Sequence, residues 1–191
     1  MALLYILHRQ EFASRSLTPN CVSVALVVLV LSRLAYDSAT LAGLPACQLN
    51  RLQSVLDAVA RSIAGLRRSE HITGALASFH WLRAPERTKF KLAVTVYRAL
   101  HGTAPQYLSD RLQYVADLPT RRRGRLRSST SSLLDVRPSR LVTVGDRSLA
   151  AAGPRLWNSL PADVQSALSV TTFRQKLKTH LFRQSYPDIV L

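Results

Sequence analysis

Residues 45–66 read PACQLNRLQSVLDAVARSIAGL. Leu49, Leu52, Leu56, Val59, Ile63 and Leu66 recur at intervals of three and four, one apolar stripe along an α-helix. Gln48, Arg51, Gln53, Asp57 and Arg61 decorate the remaining surface. Pro45 suits a helix start, because its missing N–H falls where no intrahelical partner exists, and Gly65 marks the end. Two heptads are too few for a coiled coil. The stripe therefore needs a packed core, and it predicts a mainly α fold.

Downstream, PERTKFKLAVTVYRAL (85–100) has Pro85 and Glu86 in its first turn and His101-Gly102 as a stop. Its broad apolar face (Phe90, Leu92, Ala93, Val94, Val96, Tyr97, Leu100) predicts a helix in the middle of a helical cluster. One short helix is expected before Trp81, and another in APQYLSDRL. Near the end, SVTTFRQKLKTHLF (169–182) turns Val170, Phe173, Leu177 and Leu181 inward, while Arg174, Lys176, Lys178, His180 and Arg183 make it basic. SLAAAG is read as a short helix stopped by Gly153-Pro154, and RLVTVGD as a short strand.

Composition changes at residue 119. PTRRRGRLRSSTSSLLDVRPSR carries seven arginines in 22 residues and one acid. No apolar period survives there, so an exposed, mobile connector is expected. Upstream, residues 1–20 are poorly patterned and 1–28 are taken as a divergent leader. Residues 22–35 fit a buried helix or a strand, β-branched valines favouring strand and length favouring helix, and helix is the reading preferred. The architecture expected is a helical cluster over 29–118, the basic connector at 119–140 and a small C-terminal helical unit over 141–183. At most one short strand pair accompanies them, and 184–191 form a tail.

The chain has 191 residues, 47% of them hydrophobic, enough to bury a core. Against 11 Asp and Glu stand 26 Lys and Arg, a net charge of +15 that attracts polyanions. Arginine predominates, and its planar fork suits phosphate. Cys21 and Cys47 make neither a disulfide framework nor a zinc site and are read as buried thiols. The apolar run at 21–31 is shorter than a membrane helix requires. Membrane association through it is the weaker reading, and a nuclear or cytoplasmic location the stronger.

Four segments carry a pattern: LVLSRLAYDSATLAGLP, LNRLQSVLDAVARSIAGLRRSEHIT, HWLRAPERTKFKLAVTVYRALHGTAPQYLSD and GDRSLAAAGPRLWNSLPADV with TFRQKLKTHLF. In this order, over residues 29–183, they resemble the carboxy-terminal portion of reverse transcriptases of non-LTR, LINE-type retrotransposons. The resemblance implies thumb-like helices that grip a template–primer through its phosphates. It also implies that the catalytic palm, with its paired aspartates, would precede this portion. Two-metal chemistry needs clustered carboxylates, and the sequence contains no adjacent Asp-Asp. Where the family usually reads Ser-Arg-Leu-Asp-Tyr, this chain has Ala35 in place of the Asp. The expectation is a truncated, non-catalytic remnant with no metal, no cofactor and no small-molecule substrate.

The partner expected is RNA or an RNA–DNA duplex. Phosphate ligands are sought in Arg67 and Arg68, in Arg121, Arg122, Arg123, Arg125 and Arg127, and in Arg174, Lys176 and Lys178. GPRLWNSLP (153–161) is read as a structural corner built from Gly153, Pro154, Trp157 and Pro161, in preference to a base-stacking site. His8, His71, His80, His101 and His180 have no metal-ligand spacing. Two other readings fit the same residues. One is a protein-interaction module docking a partner helix on the Leu49–Leu66 stripe, and the other is a degenerate transposon product without selected function. Helices that lack a palm to pack against could also self-associate through an apolar face.

Overall fold

A computed structural model describes Ser32 and residues 41–118, 132–138 and 145–188. The described residues are mainly helical, in seven α-helices: α1 (Ala46–Ala64), α2 (Thr73–Ser78), α3 (Ala84–Leu100), α4 (Gln106–Ser109), α5 (Leu149–Asn158), α6 (Ala162–Gln165) and α7 (Val170–Ser185). Short 3-10 turns occupy Val115–Asp117 and Gly145–Arg147. Among the described residues there is no β-sheet, and the isolated antiparallel bridge between Tyr114 and Leu134 is the extended pairing present. The strand expected in RLVTVGD lies largely outside the described residues; its last two residues, Gly145 and Asp146, begin the second 3-10 turn, Gly145–Arg147.

The periodic segments form helices for local reasons. Pro45 sits at the α1 N-cap, and Gly65 closes the helix at φ +65°, a left-handed conformation costly for any residue with a Cβ. Leu66 N–H then bonds back to the Arg61 carbonyl at 3.1 Å. Pro85 occupies the first turn of α3 with Glu86 beside it, and Gly102 breaks the chain away at φ +66°. Ser169 caps α7 by accepting the Thr172 N–H at 3.1 Å, satisfying one of the unpaired amides of the first turn.

Helix α3 is the centre of the molecule and packs against α1, α4, α5 and α7. It runs antiparallel to α7. At one end Tyr97 stacks on Phe173 with ring centroids 4.3 Å apart, and its hydroxyl donates to the Ala167 carbonyl at 2.7 Å. At the other, the Tyr186 hydroxyl donates to the Trp81 carbonyl at 2.7 Å. Trp157 from α5 completes the ring cluster against Phe173, with centroids 6.0 Å apart. Aromatic side chains of this size supply much of a core's burial, and offset ring contacts add to it. One core thus draws on α1, α2, α3, α5, α6 and α7, so the region before residue 119 and the region after 140 share it.

Three expectations need correcting. Gly153-Pro154 does not stop a helix, because α5 runs through both to Asn158. Pro154 removes one helical hydrogen bond, but Gly153 before it has no Cβ to clash with the proline ring. That same lack of a side chain lets α5 press against α3: a Cβ at residue 153 would stand 3.0 Å from Val96 Cγ2 and 3.3 Å from Leu149 Cδ1. Packing overrides the local stop signal. Nor is the connector exposed throughout. Its described part, 132–138, docks on the core with Leu134 only 1% exposed. The third is Cys47, which is exposed, since it lies off the α1 stripe. The helix expected over 22–35 lies outside the described residues apart from Ser32, which is helical and exposed.

Candidate nucleic-acid interface

The sequence-derived phosphate ligands fall in three places. Arg67 and Arg68 are exposed in the turn after α1, where Glu70 accepts the Arg67 backbone N–H at 2.8 Å. Arg121, Arg122, Arg123, Arg125 and Arg127 lie outside the described residues. Arg174, Lys176 and Lys178 are exposed on α7. Spacing of four puts Arg174 and Lys178 on one row of that helix. Lys176 points elsewhere, its ammonium donating to the Asp163 carbonyl at 2.9 Å.

Antiparallel packing brings further cations from α3 to the α7 row. The Arg87 charge reaches Lys178, whose ammonium is pushed below the ordinary lysine range by burial first and by the Arg87 charge second. Burial also lowers the Arg87 guanidinium, which nonetheless stays charged at physiological pH. Arg87 is held in place: its Nε–H donates to the Leu82 carbonyl at 3.2 Å, and its guanidinium lies 5.7 Å from the Trp81 ring centroid. One turn back, Arg83 lies 5.3 Å over the Tyr186 ring. Such contacts hold a planar cation without neutralising it. Burial in turn raises the Tyr186 phenol above its ordinary value.

Arg83, Arg87 and Lys91 were not among the expected ligands. Their spacing of four was readable in RAPERTKFK, but its meaning depends on α7 lying alongside. The carboxylates whose charge reaches this end of the seam are engaged elsewhere. Glu86 stands 3.7 Å from Lys89, and Asp57 accepts from Gln53 Nε2 at 2.8 Å.

The expected corner residues are packed inside. Gly153, Pro154 and Trp157 are buried in α5, and Pro161 stands at the N-cap of α6. Trp157 Nε1–H donates to the Ser132 carbonyl at 3.1 Å, which meets the need of a buried indole for an acceptor. Asn158 brackets Leu134 with two bonds of 2.9 Å, its Oδ1 accepting the backbone N–H and its Nδ2 donating to the carbonyl. Ser132 Oγ adds a donation to Gln165 Oε1 at 2.7 Å. The GPRLWNSLP stretch therefore fastens the segment that follows the arginine run.

No family model, no curated protein and no solved structure matches this chain. Among the described residues no group of three or more His, Cys, Asp and Glu could hold a metal ion. No helix among them is long and apolar enough to cross a membrane. A shallow groove of about 200 Å³ between α1, α3 and α5 is walled by Leu41, Leu49, Leu92 and Leu156 and has no carboxylate in its lining. What the arrangement can do chemically is hold anions.

Proposed function

We propose that this chain is a non-catalytic, nucleic-acid-binding portion of a retrotransposon reverse transcriptase. It holds RNA or an RNA–DNA duplex through arginine and lysine contacts to phosphate, with little sequence preference. The observation that carries the reading is an unneutralised positive surplus. Among the described residues, the cations in ion pairs are Lys89 with Glu86 and Arg155 with Asp146. Twenty-six Lys and Arg against 11 acids leave most of the remainder free to attract a polyanion.

The competing docking reading needs the α1 stripe unoccupied. Leu56 is buried, and Val59 and Ile63 pack against the core. The experiment is RNA binding by the purified chain followed by fluorescence anisotropy across a salt series. Phosphate contacts predict an affinity that falls steeply with salt. An affinity that barely changes with salt would contradict the reading.

A further inference from the structure

The cations at the α3–α7 seam lie in rungs. Arg83 lies over Tyr186 just past the end of α7, and Tyr97 stacks on Phe173 near its start, a register that places Arg87 alongside Lys178, within reach of its charge. Advancing one turn along α3 and retreating one along antiparallel α7 sets Lys91 opposite Arg174, both exposed. Four residues of helix rise about 6 Å, close to the separation of neighbouring phosphates on an extended strand. Arg87 is already oriented by Leu82 and Trp81. Its two terminal nitrogens carry no hydrogen bond within the described residues, and no carboxylate pairs with Arg83, Arg87, Lys91, Arg174 or Lys178 there. A pre-positioned guanidinium beside a second cation, with no carboxylate paired to either among the described residues, is suited to an external anion.

We infer that the α3–α7 seam binds a single nucleic-acid strand along its length, with successive phosphates on the Arg87–Lys178 and Lys91–Arg174 rungs. The inference rests on the nucleic-acid reading and narrows it. An A-form duplex is gripped through its two backbones across a wide, shallow minor groove, which two rungs along one seam do not span. Trp81 and Tyr186 are buried, so their rings brace arginines and do not stack bases. Recognition is of the backbone and tolerates any sequence.

The test uses the full chain, a short fluorescein-labelled oligouridylate and an RNA duplex of the same length, each titrated across a salt series. The variants are Arg87→Gln with Lys178→Gln, Lys91→Gln with Arg174→Gln, and, as a control of equal charge, Arg51→Gln with Arg111→Gln. Circular dichroism melts verify that each is folded. The oligouridylate should bind more tightly than the duplex. Each rung variant should flatten the slope of log affinity against log salt by about 0.7, the value for one phosphate contact on a single strand, and the control should flatten it less. Duplex preference, or an equal loss in the control, overturns the seam while leaving nucleic-acid binding intact. If the unaltered chain binds neither probe, the nucleic-acid reading itself fails and the seam with it.

Discussion

Asn158 shows how much one side chain can organise. Its amide satisfies both backbone groups of Leu134, a residue buried against the core. Asn158→Ala leaves that N–H and carbonyl without partners, and unsatisfied buried groups cost about 1–3 kcal/mol each. Urea denaturation should show a loss of about 2–6 kcal/mol for the two groups together, and hydrogen exchange should show the Val115 amide, bonded to the Leu133 carbonyl at 2.9 Å, losing protection. Gly153→Ala makes a second residue-scale prediction. Alanine gains roughly 1 kcal/mol of helix propensity, but its Cβ would meet Val96 Cγ2 at 3.0 Å. Overpacking at about 1–3 kcal/mol wins, so urea denaturation should find the variant less stable than the parent. Neither role could be read from sequence. The GPRLWNSLP stretch stood out, but the partners of Asn158 and Gly153 are set by tertiary contact.

At the scale of elements, the helices with strong stripes were legible. The 3.6-residue period in 45–66, 85–100 and 169–182 survives because each helix buries one face, and Pro45, Gly65 and Gly102 punctuate the chain where local geometry demands it. Helix α5 was misread at its end because a Gly-Pro stop signal is a local preference, and packing on α3 outweighs it. The cation seam was half legible: α7 displayed its basic row, but the α3 contribution needs the antiparallel register.

That register makes a prediction about Lys178. Its folded pKa lies below the unfolded value, so the charged form costs stability at neutral pH. Stability from this group rises as pH climbs through the lowered pKa and levels off at the ordinary lysine value of 10.5. Lys178→Gln should therefore raise the melting temperature at neutral pH, by about 1–2 °C for a surface change in a chain this size. It should also remove the alkaline gain and weaken RNA binding. A lower melting temperature in Lys178→Gln would mean that holding the Lys178 ammonium charged, partly buried and beside Arg87, does not cost stability.

At the scale of the molecule, the two sides of the arginine run meet in the Tyr97, Phe173 and Trp157 cluster. The sequence suggested a division there because composition changes abruptly at residue 119, and composition reports exposure better than it reports docking. Leu134 stands among a few scattered apolar residues (Leu126, Leu133 and Val136) in a polar stretch, with no helical or strand period to announce it. Phe173 is fully buried between α3 and α5. Phe173→Ala should cost about 3–5 kcal/mol by leaving a cavity, a large share of the roughly 5–15 kcal/mol that holds most domains together.

The seam depends on this shared core, since only packing of α7 on α3 brings Arg87 to Lys178. The decisive measurement is urea unfolding of the whole chain, followed together by far-ultraviolet circular dichroism and by tryptophan fluorescence. Trp81 and Trp157 report the core from its two sides of the arginine run. A single transition with coincident midpoints by both probes is expected. Loss of helical signal in two steps, with fluorescence following only one of them, would mean that the halves fold apart and that the seam does not exist as a standing structure.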